Sequence, residues 1–270
     1  MTATTQWIID TMEEWAPQKW AMDTDNVGLM IGDRARPVRR ILTALDVTEG
    51  VLREAVQGRF DFIVTHHPIF SRHIPPINSI TTDNALGKKI MTLIGNGIGL
   101  FSAHTNLDVA PGGVGDLLFD LVGLQNKEDL IDDPENRSLG LVGYLPSAMP
   151  LSVFARHVQE ALAFDGLRYS GSPDKQISKV ACCGGNGTSL VNAVKSKKCD
   201  AYITGDIGYH LAIDCVESGL ALIDGSHFST EIPIAKVIAE YLKNAAGKQG
   251  IELFVEETSV DGQVFKTIDD

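Results

Sequence analysis

Short, continuous apolar runs rich in β-branched residues alternate along the chain with longer stretches whose apolar residues recur every three or four positions. The runs are ILTAL at 41–45, FIVT at 62–65 and GLFSA at 99–103, followed later by KVACC, AYIT and ALID. Between them, segments such as TEGVLREAV and NALGKKIMTLI carry helical spacing. That alternation predicts βα units and a largely parallel sheet flanked by helices.

The same pattern occurs twice. Arg40 to His67 aligns with Lys179 to Asp206 without a gap: RILTALDVTEGVLREAVQGRFDFIVTHH lies over KVACCGGNGTSLVNAVKSKKCDAYITGD. Identity is low. Strand, turn, helix, an Asp before the second strand and a Thr at that strand's end coincide all the same. One further helix and strand on, the first copy reads His104-Thr-Asn-Leu-Asp108 and the second His227-Phe-Ser-Thr-Glu231, both H-x-x-x-[DE]. Helices are expected next, starting near Gly112 and near Pro233, where Pro suits a first helical turn. The 270 residues fit one large domain or two small lobes, and the repeat favours two similar α/β lobes. The first lobe is expected at 1–128, completed by 225–270, and the second at 129–224. The polar, turn-rich stretch opening the segment from about Lys127 to Ser178 reads as the crossing between them.

Composition narrows the partners. With 44% hydrophobic and 21% charged residues the chain is of ordinary globular type. A formal charge of -12 repels phosphate backbones, and no basic run with interleaved aromatics offsets it, so extended nucleic-acid binding is not expected. A small anionic substrate stays compatible with that charge, because bound cations would dominate the potential inside a site. The start MTATTQWIIDTMEEW lacks the basic and apolar regions of a secretory signal, and no segment has the apolar length to span a bilayer; a cytoplasmic protein is expected. None of the four cysteines forms a CxxC pair, and adjacent Cys182 and Cys183 in a strand would point to opposite faces. Reduced thiols packed as small hydrophobes are the expectation.

Open α/β sheets bind ligands beyond the carboxyl ends of their strands, and the chemistry-bearing residues fall there. His66 and His67 end FIVT, His104 and Asp108 follow GLFSA, and His227 and Glu231 follow ALID. Pro68 ends ladder pairing directly after the histidine pair, so the chain can turn and both imidazoles can address neighbouring ions. His66, His67, Asp108, His227 and Glu231 are too many ligands for one open four-coordinate ion, yet they suit two ions sharing a bridging carboxylate. Such donors favour Zn, Fe, Mn, Co or Ni over thiophilic metals. His104, Asp206 and His210 are candidates for orienting ligands or transferring protons, with purely structural roles as the alternative. His73 and His157 read as hydrogen-bonded surface or core residues. Two glycine-rich stretches, Cys183-Gly-Gly-Asn-Gly-Thr188 and Ala110-Pro-Gly-Gly-Val-Gly115, match neither a Walker loop nor a dinucleotide fingerprint and read as tight turns.

These motifs resemble those of the NIF3-like family, also known as DUF34 or GTP cyclohydrolase I type 2 homologues. The resemblance rests on DNVGLMIGD at 25–33, LDVT at 45–48, THHPIF at 65–70, AHTNLDVAPGGVGD at 103–116, TGDIGYH at 204–210 and HFSTE at 227–231. It implies a two-lobed α/β fold with a dinuclear metal centre in the cleft between the lobes, dimers assembled into a ring-shaped hexamer, and metal ligands at His66, His67, Asp108, His227 and Glu231. His104 would then lie beside the centre. The chain departs from the family pattern at Thr24, where Trp is usual, and at Ser226, where Gly is usual; the long insertion some members place between the lobes is absent. Two functions follow: a metal-dependent hydrolase, cyclohydrolase- or phosphoesterase-like, acting on a small nucleotide-like or heterocyclic substrate, or a non-catalytic metal- or partner-binding protein.

Overall fold

The computed structural model describes residues 2–71, 77, 79–132 and 137–266; His73 lies outside them. The chain begins with β1 (Ala3–Thr4), α1 (Thr5–Trp15), a 3₁₀ turn at Gln18–Trp20, β2 (Gly28–Ile31) and β3 (Pro37–Val38). Two βα units follow, β4 (Arg40–Ala44) with α2 (Glu49–Gln57) and β5 (Phe62–Thr65) with α3 (Ala85–Gly95), leading to β6 (Gly99–Ser102) and the single turn α4 (Thr105–Asp108). Next come α5 (Val114–Leu121), β7 (Gln125–Asp129), β8 (Leu141–Pro150), α6 (Leu151–Leu162) and β9 (Arg168–Ser170). The second run of βα units is β10 (Gln176–Cys182), a 3₁₀ turn continuing into α7 (Val191–Ser196), β11 (Ala201–Thr204), α8 (Tyr209–Glu217), β12 (Ala221–Asp224) and α9 (His227–Glu231). Helix α10 (Pro233–Lys248) and β13 (Phe254–Glu257) complete it. Helix starts follow local chemistry: Thr4, Thr48 and Asn84 each accept a backbone N–H three residues on, from Trp7, Val51 and Gly87. Each such cap is worth about 0.5–2 kcal/mol.

The chain divides into two compact units, one running through Leu107 and resuming at Ile234–Gly262, the other covering Asp108–Pro233 and the chain from Gln263. In the first, a five-stranded sheet has the order β13-β4-β5-β6-β2, parallel except for β2. Leu42, Ile63 and Leu100 pack with Val51, Leu52, Ile90 and Leu93 of α2 and α3. At the other face, the Thr43 hydroxyl donates to the Ala235 carbonyl of α10 at 2.7 Å, and Trp15 of α1 stacks on Tyr241 at 4.5 Å.

In the second unit, a six-stranded sheet has the order β7-β8-β10-β11-β12-β9, with β10, β11 and β12 parallel. Cys182 packs with α5 and α6 residues such as Leu118 and Phe154, whereas Cys183 packs with Val191, Val194 and Cys215. The adjacent thiols thus serve opposite faces, as the strand pattern predicts. All four cysteines are free and buried; burial, with nearby acidic charge, pushes the Cys182 thiol up to about 12, where it is inert at neutral pH.

The first break between the units falls at Leu107/Asp108, because α5 packs on β8 and β10 of the second sheet and β7 pairs with β8. The return falls at Ile234, so α9 stays with the second unit. The stretch from about Lys127 to Ser178 supplies β8, α6 and β9, and Leu151, Phe154, Ala155, Val158 and Leu162 are all buried on one side of α6.

The repeat extends to individual hydrogen bonds. Arg59 and Lys198 occupy equivalent positions and both take positive φ, 53° and 54°. The carboxylate of Asp61 accepts the N–H groups of Arg39 and Arg40, and that of Asp200 accepts those of Ser178 and Lys179, all within 3.0 Å. The shared Asp before the second strand therefore ties the first strand's entry to the second's in both copies.

Candidate metal centre

In the first unit, the end of β5 is shaped by Thr65. Its hydroxyl lies 2.8 Å from the His67 carbonyl and 2.9 Å from Ser102 Oγ, which folds the chain back on itself at the histidine pair. The two rings consequently lie on one side, with centroids 5.0 Å apart, instead of diverging as strand neighbours would. His66 is fully buried, and its Nδ1 lies 2.8 Å from the Ala103 carbonyl. His67 Nδ1 lies 2.9 Å from Asp46, and His104 Nδ1 lies 2.9 Å from both oxygens of Asp25. Carbonyls and carboxylates only accept, so each Nδ1 carries the proton and each Nε2 is the atom with a lone pair to offer. Ligand atoms of His66, His67 and His104 all lie within 4.8 Å of one another.

Asp25 also accepts from the N–H and hydroxyl of Thr105, at 3.1 and 2.6 Å. Burial would raise its carboxyl, but the hydrogen bonds from His104 and Thr105 outweigh it and hold the group well below the usual carboxylate range. The next residue, Asn26, donates to the Phe70 carbonyl at 2.8 Å and so anchors the loop that leaves the histidine pair. The DNVGL motif thus holds His104 with one residue and the THHPIF loop with the next.

In the second unit, the first turn after β12 carries His227 and Glu231 on one helical face, with Nε2 3.2 Å from Glu231 Oε2. His227 Nδ1 lies 2.8 Å from Asp206, the same arrangement of ring and carboxylate as in the first unit. Glu231 is buried, and an oxygen of Asp108 lies within 4.8 Å of one of its own. Burial, followed by the charge of Asp108 and then that of Glu231 among others, pushes the nearby Cys183 thiol well above its ordinary range.

The glycine-rich turn explains how Glu231 fits. A Cβ at Gly185, whose φ is +58°, would stand 2.1 Å from Glu231 Oε1 and 3.1 Å from His227 Nε2. A Cβ at Gly184 would meet Val114 at 2.7 Å. Three of the turn's amides are committed within the unit: Gly185 N–H to Thr230, Gly187 N–H to Thr204 and Thr188 N–H to Asn186. It is a tight βα turn against which a carboxylate is seated. Ser226 takes φ +61° and ψ 154°, a conformation that ordinarily belongs to glycine. The departure from Gly leaves the backbone as glycine would have it, and the serine hydroxyl caps α9 by accepting from Ser229 N–H.

His210 is exposed on the first turn of α8, its ring against Tyr209 at 5.4 Å, and belongs to none of the metal-type groups among the described residues. His157 Nε2 lies 3.1 Å from the Val122 carbonyl, an ordinary structural contact. Sequence reasoning named Asp206 but overlooked Asp25 and Asp46. Both stand in the quoted motifs DNVGLMIGD and LDVT, and Asp46 ends the β4 run just as the histidines end β5.

The fold and these side chains define a class: an α/β protein of two repeated units bearing histidine–carboxylate groups of metal-ligand type. The Duf34/NIF3 (NGG1p interacting factor 3) family model matches residues 3–261, and the chain belongs to this family. It is 36% identical to a Clostridium acetobutylicum protein named GTP cyclohydrolase 1 type 2 homolog, over 96% of this chain and 97% of that one. Among solved structures it resembles a Bacillus cereus protein related to NIF3, with a TM-score of 0.91 at 27% identity, covering 99% of this chain and all of the other. A Staphylococcus aureus protein matches with a TM-score of 0.89, also at 27% identity and with 99% and 100% coverage. No helix among the described residues is long and apolar enough to cross a membrane.

Proposed function

We propose that His66, His67, Asp108, His227 and Glu231 hold two divalent ions, drawn from Zn, Fe, Mn, Co or Ni, and that the chain is a metal-dependent hydrolase of a small nucleotide-like or heterocyclic substrate. The observation that carries this reading is the common state of its histidines. In His66, His67 and His227 the Nδ1 proton is given to a carbonyl or carboxylate, which fixes the tautomer and turns Nε2 into the ligating atom. His157, a structural histidine, is bonded through Nε2 instead.

Bound divalent ions supply Lewis acidity and lower the pKa of a nucleophilic water. The chain's own residues do the rest. Asp46 and Asp206 orient His67 and His227, while the glycine turn at 184–187 leaves room for the Glu231 carboxylate. His104, oriented by Asp25, is the candidate to take or return a proton, and His210 is a more remote candidate for the same task. The name borne by the Clostridium relative is compatible with a cyclohydrolase-like hydrolysis.

Metal analysis of the purified chain is expected to return two ions per chain, and a screen across nucleotides, phosphoesters and cyclic amides to return a turnover that His67→Ala abolishes. Two tightly held ions with no such turnover would favour the non-catalytic metal-binding reading. Fewer than two, unaffected by His67→Ala, would refute both. The ring-shaped hexamer belongs to the same reading; light scattering should then give six times the 29.2 kDa chain mass.

A further inference from the structure

The second unit carries a cavity of about 200 Å³ that none of the candidate metal ligands lines. Its space, about six or seven waters at ~30 Å³ each, suits one ring system better than a length of chain. Leu222 of β12 lines it with apolar surface. Tyr169 of the edge strand β9 and Tyr209 at the start of α8 line it too, and both are exposed, Tyr209 by 76%. One polar feature marks it as more than a packing fault. Arg168 is ion-paired to the largely buried Asp224 and keeps further N–H donors on its own largely exposed side chain. Those donors lie at the cavity's polar wall, where an occupant's acceptors can meet them.

The cavity shares both its loops with the His227 group. Ile207 and Gly208 in its lining follow Asp206 directly, and Asp224 accepts the N–H of Ser226, the residue before His227, at 3.2 Å. From this arrangement we infer that the cavity binds a planar heteroaromatic ring of nucleobase size, stacked on Tyr209 and hydrogen-bonded at its edge by Arg168. Stacking suits any such ring, since every base presents a π face. The inference rests on the hydrolase reading only in supposing that the ring belongs to that enzyme's substrate.

The test uses the zinc-loaded full chain with adenosine, guanosine, uridine and cytidine as probes and ribose as the ringless control, followed by saturation-transfer NMR and calorimetric titration. At least one nucleoside is expected to bind with its base protons saturated more than its ribose protons. Tyr209→Phe should retain affinity, while Tyr209→Ala weakens it about fivefold or more, with circular dichroism unchanged because the side chain is so exposed. Failure of all four nucleosides to bind, or binding indifferent to Tyr209→Ala, overturns the inference. Metal stoichiometry measured on the same samples separates the two readings: nucleoside binding without two ions sinks the metal centre and leaves the cavity standing, and two ions without nucleoside binding does the reverse.

Discussion

Replacing Gly185 with alanine tests the geometry of the second unit more sharply than removing a ligand would. Two costs are expected. The first is backbone: an L-residue held at φ +58° loses about 1–2 kcal/mol relative to glycine. The second is steric. The new methyl would sit 2.1 Å from Glu231 Oε1, and Glu231 is 4% exposed, so the carboxylate can withdraw only by disturbing its packed surroundings. Overpacking of this kind costs about 1–3 kcal/mol, for a sum of about 2–5 kcal/mol. Gly219→Ala is the matched control. It has φ +82° and nothing within 4 Å of its Cβ position, so it carries the backbone cost alone. Urea denaturation of both variants isolates the steric part, and calorimetric zinc titration reports whether the displaced carboxylate matters to the metal. Gly185→Ala should be the less stable of the two and should bind zinc about tenfold or more weakly than the parent, the loss typical when a ligand's support is disturbed. Equal stabilities with unchanged zinc affinity would refute the argument that this turn is glycine in order to admit Glu231.

Other outcomes follow from the same geometry. Asp46→Asn and Asp206→Asn should each lower zinc affinity about 10- to 100-fold while leaving the circular dichroism intact; unchanged titration curves would count against the orienting role. Ser226→Gly removes a strained backbone worth about 1–3 kcal/mol and a cap worth a few tenths relative to glycine, so urea midpoints should rise; a fall would mean the hydroxyl contributes more than the strain costs. Burial raises the Glu54 carboxyl, but hydrogen bonds from Thr258 and Ser259 outweigh it and hold the group below its ordinary 4.5. A depressed carboxylate contributes its stability fully above the unfolded value and loses it as pH falls through the folded one. The melting-temperature gap between the parent and Glu54→Gln should therefore be constant above about pH 5 and close as pH falls below 4.5; a gap independent of pH would contradict this.

Much of the architecture was legible because the strands are covered on both faces. Continuous apolar runs such as FIVT, AYIT and ALID, entirely buried in the structure, announce parallel strands without help from any partner. The ungapped repeat was legible because the turns at Arg59 and Lys198 and the ties from Asp61 and Asp200 constrain spacing. The strand β7 was harder. QNKED is wholly exposed and polar, and its pairing with β8 depends on a neighbour whose own register no local pattern reveals. The sheet that α5 joins is hidden for a related reason: its apolar face suits either sheet and does not say which. At the site, ligand types stood out by their place at strand ends. Asp25 and Asp46 did not, since a carboxylate that orients a ring looks in sequence like any loop aspartate.

The repeat also bears on how the two copies can change. Position 46 is Asp in the first copy and its counterpart is Gly185, while His67 has Asp206 as its counterpart. A carboxylate stands where the first copy has the imidazole, a glycine where it has the carboxylate, and Asp206 supports a ring from the following strand's loop. The two arrangements exclude each other at this position. Any side chain at 185 would collide with Glu231, so the second copy cannot carry the first copy's Asp there together with its own buried carboxylate. Steric exclusion at one glycine thus holds the two halves to different chemistry while their shared turns keep them alike.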